Sequence, residues 1–201
     1  NLERVSNRFN EQSVIEARLL AEREFESSIT FPETMLTDAT PELLEVMRTQ
    51  DNILSDRLSI FSSQTEIGNF QIDQLQGQIT GLEQQRNALE RRLELHSSLL
   101  DRLTQGQELG VVVRNSLAEK MDTLIQIEAA LGETTTEISQ VGVRISEAQL
   151  NLLQVRQQFL ERANVELQEV LTQLTDRGES MKIAEDNFLR SVIRAPSSGT
   201  V

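Results

Sequence analysis

Residues 117–159 read LAEKMDTLIQIEAALGETTTEISQVGVRISEAQLNLLQVRQQF, and the spacing within this stretch decides the fold. Leu117, Leu124, Leu131, Ile138, Ile145, Leu152 and Phe159 recur every seven residues. A second stripe, Ile127, Thr134, Val141, Ala148 and Val155, runs beside the first. Together they form a repeat of about 3.5 residues, which keeps one narrow seam of an α-helix against a partner helix and favours left-handed supercoiling.

The partner lies upstream. Leu54, Leu58, Phe61, Thr65 and Gly68 step by three and four residues, and Ile72, Leu75, Ile79, Leu82, Arg86, Leu89, Leu93, His96, Leu100 and Leu103 continue the same seam. A short turn containing Gly106 and Gly110 separates the two stripes. Stripes joined in this way hide only against each other, so the spacing predicts a long antiparallel helical hairpin. With Leu103 opposite Leu117, facing residue numbers sum to about 220. Leu89 then faces Leu131, Leu82 faces Ile138, Leu75 faces Ile145, Gly68 faces Leu152 and Phe61 faces Phe159. Arms of about 65 residues would span roughly 100 Å.

Composition fits this reading. The chain has 201 residues, only 3% aromatic, with no Trp or Tyr. Long helices with a narrow seam need less aromatic bulk than a compact core. The net charge of −13 excludes a nucleic-acid partner, which needs clustered Lys and Arg, and disfavours an anionic membrane surface. The absence of cysteine excludes disulfides, thiolate metal sites and a Cys nucleophile. No stretch approaches the roughly 20 apolar residues of a membrane span. The chain does not begin with Met and reads as an excised piece.

Residues 1 to about 28 predict a first helix, with Leu2, Val5, Phe9, Leu19 and Leu20 on its apolar face. Residues 28–41 interrupt it with Pro32 and Pro41. Thr40 before Pro41 fits an N-cap and first-turn proline, opening a second helix over about 41–106. The third helix is expected over about 114–189, with the tip at about 106–113. Met181, Ile183 and Phe188 lie beyond the start of the second helix, and the first helix is expected to cover them. The fold class is therefore all-α, a coiled-coil hairpin with a three-helix base. Residues 191–201 break the pattern and read as strand, turn and start of strand. A lone strand needs partners, so the helices read as an insertion in a β domain.

Ile193-Arg194-Ala195-Pro196-Ser197-Ser198-Gly199-Thr200-Val201 resembles the Ile-x-Ala-Pro-x-x-Gly-x-Val segment of HlyD-family membrane fusion proteins. In these bacterial periplasmic adaptors a helical hairpin splits a lipoyl-like β domain. The break Ile29-Thr30-Phe31-Pro32-Glu33-Thr34-Met35-Leu36 resembles the link between helices in type I secretion adaptors for proteases and lipases. Gly110-Val111-Val112-Val113-Arg114-Asn115-Ser116-Leu117 is similar to their Gly-hydrophobic-Val-x-Arg segment. The resemblance implies that residues 191–201 begin the second half of a lipoyl-like domain. It also implies a periplasmic location with an inner-membrane anchor outside this sequence. The implied partners are an inner-membrane ABC transporter, a TolC-like outer-membrane channel, further copies of the chain and a secreted protein in transit.

Partner binding is expected at the tip, where Leu109, Val111, Val112 and Val113 gather apolar side chains around Gly106 and Gly110. Arg102 and Arg114 flank them, and Leu103 and Ser116 complete the segment. Many adaptors for TolC-like channels carry Arg-x3-Leu-x6-Ser across the tip. Starting from Arg102, Gly106 and Val113 stand where Leu and Ser belong, so that motif's contacts do not transfer.

No catalytic constellation is present. Ser and Thr lack a plausible His/Asp arrangement, paired carboxylates lack a cleft, and the glycines bracket no phosphate-binding signature. No metal or cofactor is expected, because His96 is the only histidine. His96 reads as a polar seam residue that is easier to bury as neutral imidazole than as its cation. Comparing hairpin stability at pH 5 and 8 with that of His96→Leu checks it as a pH-sensitive point, and equal pH dependence would exclude it. Arg86 reads as a packed stem with its head reaching water. A cytoplasmic coiled-coil spacer or chaperone-like arm explains the seam equally well, but not the tail or the Phe-Pro break.

Overall fold

The computed structural model describes residues 2–37, 39–108 and 114–191. Four helices follow in order: α1 Leu2–Glu24, α2 Glu33–Thr37, α3 Pro41–Glu108 and α4 Arg114–Ser191. The chain divides into unit 1, Asn1–Thr65 with Gln154–Val201, and unit 2, Glu66–Leu153. Helices α3 and α4 each run through both units, whereas α1 and α2 belong to unit 1. The expected β segment over residues 192–201 lies outside the described residues.

In unit 1, α1 packs as a third helix. Val14 of α1 is buried with Leu43 and Met47 of α3. Leu19 of α1 is buried with Leu167 and Val170 of α4. The break contributes to this core as well as connecting helices. Its Phe31 and Met35 pack against the Val14 cluster, and Met35 lies on the short helix α2. Thr40 caps α3: its Oγ1 accepts from the Leu43 amide at 3.2 Å, ahead of Pro41 in the first turn.

The first helix ends at Glu24, earlier than the expected position near 28. The Phe25 amide donates to the Glu22 carbonyl at 3.2 Å, and the Glu26 amide to the Ala21 carbonyl at 2.9 Å. This pair of bonds is a Schellman closure, which places the residue after the cap in the left-handed region. Phe25 occupies that place with φ 57°, where glycine is usual. Helix α1 covers less of α4 than expected. Phe9 lies 3.7 Å from the position a Cβ on Gly178 would take, whereas Ile183 and Phe188 are mostly exposed.

Unit 2 consists of α3 and α4 alone. The expected register recurs in its contacts: a Cβ on Gly68 would run into Leu152 Cδ2. Gln85 Nε2 donates to Thr134 Oγ1 at 3.4 Å. Within unit 1, the Phe61 and Phe159 rings follow the same numbering, 4.9 Å apart. One detail differs from the simplest reading of the repeat. The fully buried stripe on α4 is the smaller one, Ile127, Thr134, Val141 and Ala148. The leucine-rich stripe from Leu124 to Leu152 is half-buried. Small or β-branched side chains thus take the most enclosed positions on α4, and the leucine-rich stripe keeps partial exposure. Thr134 tolerates this burial because its hydroxyl also donates to the Ala130 carbonyl at 2.9 Å.

Candidate functional site

Helix α3 ends at Glu108 and α4 begins at Arg114. Leu109, Gly110, Val111, Val112 and Val113 lie outside the described residues, and the side chain of Arg114 is likewise not described. Of the remaining tip residues, Arg102 is exposed, while Leu103, Gly106 and Ser116 are half-buried. Leu103 belongs to the seam and Ser116 stands beside seam residue Leu117, so both are partly held by the hairpin itself. Arg102 is thus the exposed cationic side chain among the described tip residues.

Behind the tip the seam carries two polar interruptions. His96 is half-buried, and its Nδ1 is buried without a hydrogen-bond partner. Arg86 has a buried Nε 3.5 Å from Glu90 Oε1, an ion pair lacking hydrogen-bond geometry. Its stem lies in the seam, as expected, and its head stays partly exposed beside an acid one turn on.

Unit 1 holds a polar cluster that the repeat did not reveal. Arg18 pairs with Glu22 one turn along α1. Arg18 Nε donates to Gln50 Oε1 at 2.6 Å. Arg57 of α3 grips Glu166 of α4 with two hydrogen bonds of 3.1 Å and also donates to Glu22 at 3.1 Å. Arg18 Nη2 closes the ring on Glu166 at 3.4 Å. Two arginines and two glutamates therefore balance their charges across all three helices. Burial favours the neutral form of Glu166, but its hydrogen bonds and attraction to Arg57 and Arg18 outweigh burial and hold its carboxyl below the usual range. Burial opposes the charge on Arg57 too, and Glu166 and Glu22 more than compensate, raising its pKa.

Next to this cluster, Phe25, Phe61 and Phe159 form a three-ring cluster. Phe25 lies 5.1 Å from Phe61 and 5.3 Å from Phe159. The Arg156 guanidinium stands 5.3 Å from the Phe25 ring centroid. In the sequence, the spacing of Arg18 and Glu22 on an otherwise apolar helix face was the available signal for the ionic cluster. Nothing local marked Phe25 as the third ring.

Among the described residues, no helix is long and apolar enough to cross a membrane, and no group of three or more His, Cys, Asp or Glu is placed to hold a metal ion.

A family model described as "AprE, long alpha-helical hairpin" matches residues 1–187. The chain belongs to the AprE hairpin family. The resemblance to type I secretion membrane fusion proteins, carried by the break and the segments around the tip and tail, is borne out at this level. The alkaline protease secretion protein AprE of Pseudomonas aeruginosa is 26% identical over 202 residues, covering 100% of this chain and 47% of that relative. The chain thus spans about half the length of the curated relative it matches. The crystal structure of the soluble domain of LipC, a membrane fusion protein of a type I secretion system, has the same fold. It superposes with a TM-score of 0.90 at 18% identity, covering 98% of this chain and 93% of that one. The hairpin with its base helix is therefore the fold shared with that structure.

Proposed function

We propose that this chain is the hairpin domain of a periplasmic adaptor for one-step protein secretion. It links an inner-membrane ABC transporter to a TolC-like outer-membrane channel, and residues 102–116 dock on the channel. The observation that carries the reading is the family match over residues 1–187, joined to a hairpin end built from α3 and α4 alone. The three-helix unit anchors the arms. The two-helix unit contains no part of α1. In this role the chain supplies reach and recognition, with no bond made or broken.

The test is secretion in cells carrying the full-length adaptor. Leu109→Asp or Val112→Asp places a charge in the apolar turn and is expected to abolish secretion while adaptor abundance stays unchanged. Secretion at the parental level would remove the tip from the docking role. Crosslinking from residues 109–113 to outer-membrane proteins identifies the partner directly.

A further inference from the structure

Helix α1 has two faces with different surroundings. One buries Val14 against α3 and Leu19 against α4. The other turns toward the break, and with residues 30–43 it walls a groove of about 960 Å³. Every residue that lines the groove belongs to unit 1.

The groove has an apolar floor. Its line along α1 is Ser6, Asn10, Ser13, Ala17 and Ala21, spaced by three or four residues and so stacked on one side of the helix. These short side chains leave room for another chain to lie close to α1. Ser13 donates its proton to the Phe9 carbonyl at 3.2 Å, which leaves its oxygen free to accept. Phe9, Leu20 and Met35 supply the larger apolar surface, each half-buried and none enclosed. The outward face of a surface helix is ordinarily polar and open to water. Here it is a walled trough.

The rim decides what fits the trough. Glu3, Glu11, Glu16, Glu24, Glu26 and Glu42 line it, and Arg23 is the cation among its lining residues. Arg23 is engaged by Glu24 at 3.2 Å. Among the described residues, the other five carboxylates have no ion-pair partner. Arg4 and Arg8 do not line the groove, because they fall on the far side of α1 from Ala17. Like charges around a low-dielectric floor concentrate the field in the trough, draw in cations and repel acidic chains.

The acids are also spread out. From Glu3 to Glu24, α1 runs for roughly 30 Å. Among the described residues, no group of three or more acids is placed to hold a metal ion. Carboxylates spaced along an apolar trough match cations spaced along a chain better than they match a single ion. An extended segment of about nine residues covers this length. A purely polar polycation would leave Phe9, Leu20 and Met35 unused.

We propose that the groove binds a Lys- or Arg-rich amphipathic segment of another protein. The segment's apolar side chains lie on Phe9, Leu20 and Met35, and its cations meet the glutamate rim. The site lies wholly within residues 3–43 and includes no tip residue, so it stands or falls separately from channel docking.

The test uses the full-length adaptor in phosphatidylcholine nanodiscs, with empty discs as background. Fluorescence anisotropy follows three labelled peptides of equal length, built from Lys and Leu, from Lys and Ser, and from Glu and Leu. The Lys/Leu peptide is expected to bind saturably and to weaken as salt is raised. Replacing Glu11, Glu16 and Glu26 together by Gln is expected to weaken it about tenfold. Replacing the exposed Glu128, Glu137 and Glu161 by Gln removes the same net charge elsewhere and is expected to leave the affinity unchanged. Ala17→Trp fills the trough without altering charge and is expected to weaken binding to a similar degree, with circular dichroism confirming that α1 stays folded. If Ala17→Trp unfolds α1, the two glutamine variants decide. Equal weakening by both glutamine variants would overturn the proposal. So would equal binding of the Lys/Ser or Glu/Leu peptide, or no saturable binding of the Lys/Leu peptide.

Discussion

Units 1 and 2 are built from the same pair of long helices, and they hold that pair in different ways. Unit 1 adds a third helix, an aromatic cluster and a charge-balanced ring of two arginines and two glutamates. Unit 2 has only its seam, centred on small or β-branched side chains and interrupted by Arg86 and His96. In unit 1 specificity comes from a few long-range polar and ring contacts. In unit 2 it comes from repetition, and from the few positions where repetition is broken. A seam made of equivalent layers resists separation well but resists sliding poorly, so its exceptions carry the information about register.

The most damaging single change is expected at Glu22, which is 1% exposed. Glu22→Ala leaves Arg18, itself 4% exposed, without its main partner. Breaking a buried pair on one side costs about 3–5 kcal/mol. Urea titration followed by circular dichroism measures this, and a loss below about 1 kcal/mol would show that the cluster is dispensable to unit 1. Phe61→Ala comes next, with a loss of about 2–3 kcal/mol because the ring is half-buried rather than fully enclosed. Phe25 refines the result. Phe25→Gly is expected to cost about 1 kcal/mol less than Phe25→Ala, since glycine relieves the left-handed backbone while both lose the ring.

Unit 2 is broken more gently. Gly68→Ala drives a Cβ into Leu152 and is expected to cost about 1–2 kcal/mol. Gly81→Ala meets open space and is expected to stabilise by up to ~1 kcal/mol through helix propensity. Equal effects at the two glycines would mean that helix propensity, and not the fit against Leu152, governs the site. The smallest effect concerns acid. Because the folded pKa of Glu166 is depressed, its stabilising contribution is complete above the ordinary glutamate value and is lost as pH falls through the folded value. The group is partly exposed, so screening limits the contribution to about 1 kcal/mol. Glu166→Gln should flatten the loss of stability below the ordinary glutamate value, and an unchanged acid profile would assign that loss to other carboxylates.

The hairpin, its register and the cap at Thr40 were legible in the sequence because each depends on local spacing. Gly68 and Leu152 could be matched from numbering alone, since one repeat length governs both arms. The course of α1 was only partly legible. Its face was visible, but its end depended on Phe25 joining Phe61 and Phe159, residues from distant parts of the chain. The same reason hid Arg57 and Glu166, which look like ordinary surface charges until α1 brings Arg18 and Glu22 to them.

Gly68 has a mechanical consequence. The vacancy at Gly68 admits Leu152, and a slip of one repeat would bring Leu152 against Leu75, where no such vacancy exists. The two helices can bend together, but a step of one past the other forfeits this fit. A push or pull applied at one end of unit 2 is therefore passed along both helices in step, as by a shaft keyed to its collar.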